Sequence, residues 1–402
     1  MLITNARIFS EQKRFERGSL RTKGDRIQEV IYESDPSYPE RVQAQEGEEV
    51  LDIGGNYLLP GMIDSHFHGC AGIDFCDGMV AFLETIANYE AKIGVTSICP
   101  ATVTLPDEEI RYILAGAAVF KDKQAEGSYE NAAHLVGIHM EGPFISEEKC
   151  GALNSSLVRP RNSKMAAEFY EASEGLVKFI GLAPEVPATE PLEEFVDKVQ
   201  EMGMTVSIAH TNADYETARR AFKAGVHHVT HLYNAMPEFQ HRNPGVVGAL
   251  FETSDITVEL IADGIHVHPA VIRATLKILG EDQVVFISDS MRGTGMPDGR
   301  YSLGGLPVIK SGRETRLVKN GALAGSVTTL PDCVRIAVKD MGIPLETAIL
   351  CSTVNPAKSL DVFNERGEIV PGKKADLIVW DEDLALKEVF LDGRRLKLED
   401  LG

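Results

Sequence analysis

Between about Gly61 and Leu360 the chain repeats one pattern, a short apolar run followed by a longer stretch with helical spacing, and this repetition constrains the fold most. Alternation of this kind is the signature of βα units around a parallel sheet. Eight runs fit it: Met62 to Phe67, Val95 to Ala101, Leu135 to Met140, Val177 to Ala183, Thr205 to Ala209, His228 to Leu232, Ile256 to Ile261 and Val284 to Ser288. The helical stretches include Met79 to Lys92, Pro106 to Val119, Ala166 to Ser173, Pro191 to Met202, Tyr215 to Ala224 and Ala270 to Leu279. Proline stands near several of their starts, as helix N-termini favour. Eight such units in roughly 250 residues match a (β/α)8 barrel. The expected fold class is therefore α/β, a TIM-like barrel.

The ends of the chain read differently. Leu2 to Phe9, Gly18 to Thr22 and Arg26 to Tyr32 are β-like runs separated by turns, and the texture returns at Ala375 to Trp380 and Lys387 to Leu391, before the hairpin signal Asp392-Gly393. Two β segments that bracket a long middle predict one small β-sandwich domain built from both termini, residues 1–58 and 359–402, around a catalytic domain at 59–358.

At 402 residues and 44% hydrophobic content the chain can bury one large core and a second small one. Its formal charge of -20 would repel nucleic acid and anionic membrane, so neither is an expected partner. No run approaches about 18 uninterrupted apolar residues, and Met1 to Arg7 lacks a basic region followed by an apolar core, which predicts a cytoplasmic protein. The six cysteines are scattered without a Cys-x-x-Cys pair and read as reduced thiols.

Residues that ligate metals or move protons recur where the predicted strands end. A parallel barrel gathers those ends at one mouth, so residues far apart in sequence form one site. The first run ends in His66-Phe67-His68, whose alternation sends both imidazoles to one side. The third ends in His139-Met140-Glu141-Gly142-Pro143, with Glu141 the carboxylate for a metal and His139 a structural neighbour. His210 and His231 follow the fifth and sixth runs. Each alone would read as a core or loop histidine, but together with His66, His68 and Glu141 they predict a metal site. Imidazole and carboxylate without thiolate suit zinc first, with iron, manganese and cobalt also fitting. Asp289, after the eighth run, could be a turn residue or the base that takes a proton from water beside the metal. Asn234, Ala235, Arg242 and His266 form a candidate pocket for a phosphate or carboxylate, with Arg242 alternatively a surface charge. His227 and His228 read as structural, His241 as a loop residue and His268, before Pro269, as a helix-start residue.

Across nearly its whole length the chain resembles the amidohydrolase superfamily, and within it the N-acetylglucosamine-6-phosphate deacetylase family. The resemblance lies in Pro60-Gly61-Met62-Ile63-Asp64, His139-Met140-Glu141-Gly142-Pro143-Phe144, Ala209-His210-Thr211, His231-Leu232-Tyr233-Asn234-Ala235-Met236, Asp263-Gly264-Ile265-His266, Ser288-Asp289 and Gly372-Lys373-Lys374-Ala375-Asp376-Leu377. It implies that Glu141, His210 and His231 hold the catalytic metal, that His66 and His68 hold a second ion shared through Glu141, and that Asp289 is general base and then general acid. It further implies that Asn234, Ala235, His266 and Arg242 hold a sugar phosphate, Arg242 reaching from the second subunit of a homodimer, and that Ala152, Leu323, Ala324 and Gly325 line the sugar pocket. The implied reaction is metal-dependent hydrolysis of N-acetyl-D-glucosamine 6-phosphate to D-glucosamine 6-phosphate and acetate. Alternatives are the galacto epimer, another amide within the superfamily, or a non-catalytic scaffold. One position departs from the family: Leu153 stands where relatives often carry a histidine, and leucine donates no hydrogen bond.

Overall fold

The structure, a computed structural model, describes residues 1–397. The last five residues of the C-terminal β segment therefore lie outside the described residues. Seven parallel strands form one curled sheet in the order Ala101–Thr102, Ile138–Phe144, Val177–Leu182, Thr205–Ile208, His228–Val229, Thr257–Ile261 and Val284–Ile287. A second parallel group places Val95–Ile98 between Met62–Asp64 and His134–Leu135. Backbone hydrogen bonds link the first and last of these runs, from Asp289 N to His66 O at 3.0 Å and from His68 N to Ser290 O at 2.7 Å. The expected βα alternation is thus present, with strands shorter than their apolar runs because several runs turn sharply at their functional ends.

The helices form for ordinary reasons. Leu192–Glu201 buries Leu192, Phe195, Val196 and Val199, one helical stripe, against the strands. Burying a side chain such as Phe195 stabilises the fold by about 1.5–3 kcal/mol. Tyr215–Lys223 starts at Asp214, whose carboxylate accepts from Thr217 N at 2.8 Å, and Val80–Ile93 stops at Gly94, which adopts φ 98°. Five helices among the described residues had no sequence expectation: Tyr38–Arg41, Gly245–Phe251, Leu330–Lys339, Leu345–Ser352 and Val354–Ser359.

The termini build one mixed sheet of eight strands. Tyr57–Pro60 lies between Leu2–Phe9, to which it is parallel, and Leu377–Trp380, to which it is antiparallel, so strands from both ends of the chain interleave. Ile3, Ile8, Leu20, Leu58, Leu377 and Phe390 make its separate core. An antiparallel three-stranded sheet, Gly299–Leu303, Leu306–Ser311 and Glu314–Leu317, is inserted after the last parallel strand. No helix among the described residues is long and apolar enough to cross a membrane.

Candidate metal centre and anion pocket

Glu141 is the hub of the site. It lies on Ile138–Phe144, buried, and its Oε1 lies 2.8 Å from His210 Nε2 and 2.9 Å from His231 Nε2. Those two nitrogens are themselves 3.2 Å apart, so three ligand atoms converge on one point. On the other side, Glu141 Oε2 is 3.3 Å from His68 Nε2, and Oε1 is 3.7 Å from His66 Nε2. Asp289 Oδ1 completes the group at 3.3 Å from His68 Nε2 and 3.8 Å from His66 Nε2. The six residues predicted for metal and proton chemistry are therefore together.

Local backbone geometry aims them. His210, His231 and Asp289 each follow a parallel strand and each adopts positive φ, 42°, 28° and 48° respectively. Non-glycine residues occupy that region at a cost of about 1–3 kcal/mol, and such strain clusters at functional sites. His210 Nδ1 donates to Lys149 O at 2.8 Å, which leaves Nε2 for the site.

The donor set fits a divalent cation. Among the described residues, buried Asp289 Oδ1 and His66 Nε2, which face each other across the cluster, have no hydrogen-bond partner. Ligand atoms of His66, Glu141 and His231 lie within 4.8 Å of one another, as do those of His66, His68 and Asp289. Nitrogen and carboxylate donors without sulfur match zinc and its first-row neighbours. Burial opposes the charge on Glu141, yet His210 and His68 hold its carboxyl well below the usual range. For His68, burial is likewise overcome, here by Glu141 and Asp289, which raise the ring well above an ordinary histidine; burial drives His66 well below it. Another cluster, His134 with Asp376 and Asp392, lies at the junction with the terminal sheet, where Arg366 pairs with Asp376 and Lys374 with Asp392.

A cavity of about 240 Å³ opens on this group, and His68, Glu141, His210, His231 and Asp289 line it. Its walls include the other predicted contacts Ala152, Asn234, Ala235, His266, Leu323, Ala324 and Gly325, together with Leu153. Asp263 Oδ2 accepts from His266 Nδ1 at 2.7 Å. Burial disfavours charge on that ring, but the Asp263 bond and charge raise it, so His266 leans toward the cation that an anionic ligand requires. Arg242 is not in this group. It is exposed and borders a separate hollow with Asn212, Tyr215 and Pro244. Other hollows, of about 450 Å³ and 680 Å³, contain none of the clustered ligands.

The remaining histidines lie outside the cluster, and His227, read as structural, is exposed instead. His139 and His228 are wholly buried beneath the cluster, His227 and His241 are exposed, and His268 Nδ1 accepts from Ala270 N at the start of Pro269–Leu279. Two contributors had no sequence expectation. Leu303, from the inserted sheet, walls the cavity, and Glu259 lies buried against His66. An acid inside the apolar run Ile256 to Ile261 was the available signal for Glu259.

Comparison with known proteins finds relatives over most of the chain. Residues 57–396 match the amidohydrolase family. The chain is 33% identical over 383 residues to the N-acetylglucosamine-6-phosphate deacetylase of Bacillus subtilis (strain 168), covering 95% of this chain and 93% of that one. It is also 33% identical over 345 residues to the N-acetylgalactosamine-6-phosphate deacetylase of Escherichia coli O157:H7, covering 86% and 89%. Among solved structures, it superimposes with TM-score 0.87, 31% identity and 98% coverage of both chains on a mutant N-acetyl-D-glucosamine-6-phosphate deacetylase from Mycobacterium smegmatis in complex with N-acetyl-D-glucosamine-6-phosphate.

Proposed function

The chain belongs to the amidohydrolase family, and from that premise we propose that it hydrolyses N-acetyl-D-glucosamine 6-phosphate to D-glucosamine 6-phosphate and acetate. The observation that carries this reading is the clustering of Glu141, His210, His231, His66, His68 and Asp289 beside one cavity that His266 and Asn234 also line.

Glu141, His210 and His231 would hold one divalent ion, and His66 and His68 a second that shares Glu141. Zinc suits these ligands first, with iron, manganese or cobalt as alternatives. Such an ion supplies Lewis-acid polarisation of a carbonyl and makes water more acidic. Asp289 takes a proton at Oδ1 as water oxygen bonds to the acetyl carbon. It returns that proton to the nitrogen as the C–N bond breaks, so acetate and a free amine leave and Asp289 ends as it began. His266 and the polar groups at Asn234 and Ala235 would grip the phosphate, and Ala152 with Leu323, Ala324 and Gly325 would border the sugar. Leu153 makes its part of the wall apolar.

Arg242 would serve the phosphate of a second subunit, since its own cavity lies out of reach, and a homodimer follows from that role. The two parallel groups, bonded between His66 and Asp289, are read as one closed (β/α)8 barrel over 59–358, carrying a small β-sandwich domain from 1–58 and 359–402. The cytoplasm is the proposed location, where the free cysteines stay reduced.

Hydrolysis of the galacto epimer is the second reading, favoured by the equal identity to the N-acetylgalactosamine-6-phosphate deacetylase. Acetate release from the two epimeric 6-phosphates, measured side by side, decides between them. Faster release from the gluco sugar is expected; preference for the galacto sugar moves the substrate, and no release from either refutes the proposal.

A further inference from the structure

Beneath the ligand cluster the parallel strands enclose a second polar layer, centred on Glu259 of Thr257–Ile261. Glu259 is wholly buried, and an ionised acid there costs several kcal/mol unless its neighbours offset it. Those neighbours are three imidazoles and a hydroxyl. Oε2 is 3.4 Å from His66 Nδ1, while Oε1 is 3.7 Å from His139 Nδ1, 3.8 Å from His228 Nε2 and 3.4 Å from Ser65 Oγ. Two of the rings are held from behind. His139 Nε2 meets Thr230 Oγ1 at 3.3 Å, Thr230 Oγ1 meets Ser207 Oγ at 2.6 Å, and Ser207 Oγ meets His228 Nδ1 at 2.8 Å. Hydrogen bonds therefore run from His139 through Thr230 and Ser207 to His228, and both rings face Glu259. His66 leads out of it, with Nδ1 toward Glu259 and Nε2 toward Glu141 and Asp289.

We propose that Glu259 is the positioning residue of His66: by accepting the Nδ1 proton of that ring it presents the Nε2 lone pair to the site, and so sets the affinity for the ion shared by His66 and His68. This rests on the reading of His66 as a metal ligand. An imidazole ligates through an unprotonated nitrogen, and an acceptor on its other nitrogen fixes the tautomer and makes the ring more basic. His139 and His228 pack beside the carboxylate, tied to each other through Thr230 and Ser207.

The test uses the full chain, stripped of metal and titrated with zinc, as wild type, Glu259→Gln and His66→Ala. Nitrogen-15 NMR of the stripped wild type reads which nitrogen of His66 carries the proton. The proposal expects Nδ1, and expects Glu259→Gln to weaken the second zinc by about 10–100-fold. The melting temperature of stripped Glu259→Gln should hold, since glutamine fills the same volume. A merely structural Glu259 would lower the melting temperature and leave zinc affinity unchanged. Wild-type zinc affinity in Glu259→Gln, with the second ion lost in His66→Ala, overturns the positioning role and leaves the metal reading intact. Wild-type zinc binding in His66→Ala overturns both.

Discussion

Replacing Asp289 with Asn isolates proton transfer from everything else the site does. The backbone at Asp289 is held from both directions: its N–H donates to His66 O at 3.0 Å, and its carbonyl accepts from Ser326 N at 2.7 Å. Asparagine has the same shape and tolerates the positive φ of 48° found there, so the fold should not notice the change. What disappears is the proton acceptor. Asp289 Oδ1 has no hydrogen-bond partner among the described residues and lies 3.3 Å from His68 Nε2, poised over the ligand cluster. General acid–base catalysis contributes about 10²–10⁴-fold, which at about 1.36 kcal/mol per tenfold is about 2.7–5.4 kcal/mol of barrier. Glu141 and the four histidines remain, so metal content should match wild type. Steady-state acetate release, elemental analysis and a thermal melt on the same preparation read these three quantities. A metal-loaded, folded Asp289→Asn protein with near-normal kcat would refute the assignment.

Glu141→Gln should behave differently, losing metal to a mild chelator along with activity, because the anion shared by His210, His231 and His68 is gone. Since the Glu141 carboxyl is held well below its ordinary range, its contribution to the metal-free fold is present above about pH 4.3 and is lost as pH falls further; a melt series should show that loss in wild type and not in Glu141→Gln. The raised His266 ring gives the opposite sign: its charge is present at low pH and lost as pH rises through its raised value. KM for a phosphorylated substrate should therefore climb with pH, and Asp263→Asn should move that climb to lower pH. Arg242→Ala should raise KM severalfold with kcat nearly unchanged, and a kcat collapse instead would place Arg242 in the chemistry.

The clustering of these residues was legible because each stands at a point where an apolar run stops, and parallel strands bring those points together. Element ends were less legible. The run His228 to Leu232 yields only the strand His228–Val229, because His231 turns into the left-handed region to reach Glu141. The inserted sheet at Gly299–Leu303 and its partners was not expected, since its charged, glycine-punctuated sequence reads as a loop until Leu303 and Leu317 pack with Val103, Leu153 and Met291. Arg242 illustrates a different limit. Its charge suggested an anion pocket reached from a second subunit or a surface position, and spacing alone does not fix the exposed loop that carries it. Glu259 was hidden because a run of Val, Leu and Ile predicts a strand regardless of one acid within it.

The most direct measurement is acetate release from N-acetyl-D-glucosamine 6-phosphate and from unphosphorylated N-acetyl-D-glucosamine, each with metal-loaded and chelator-stripped protein. The site as described predicts fast release only from the phosphorylated sugar with metal present, restored when metal is returned. Equal release from both sugars would contradict the phosphate pocket at His266 and Asn234, and release undiminished by complete metal removal would contradict the role of the Glu141 cluster.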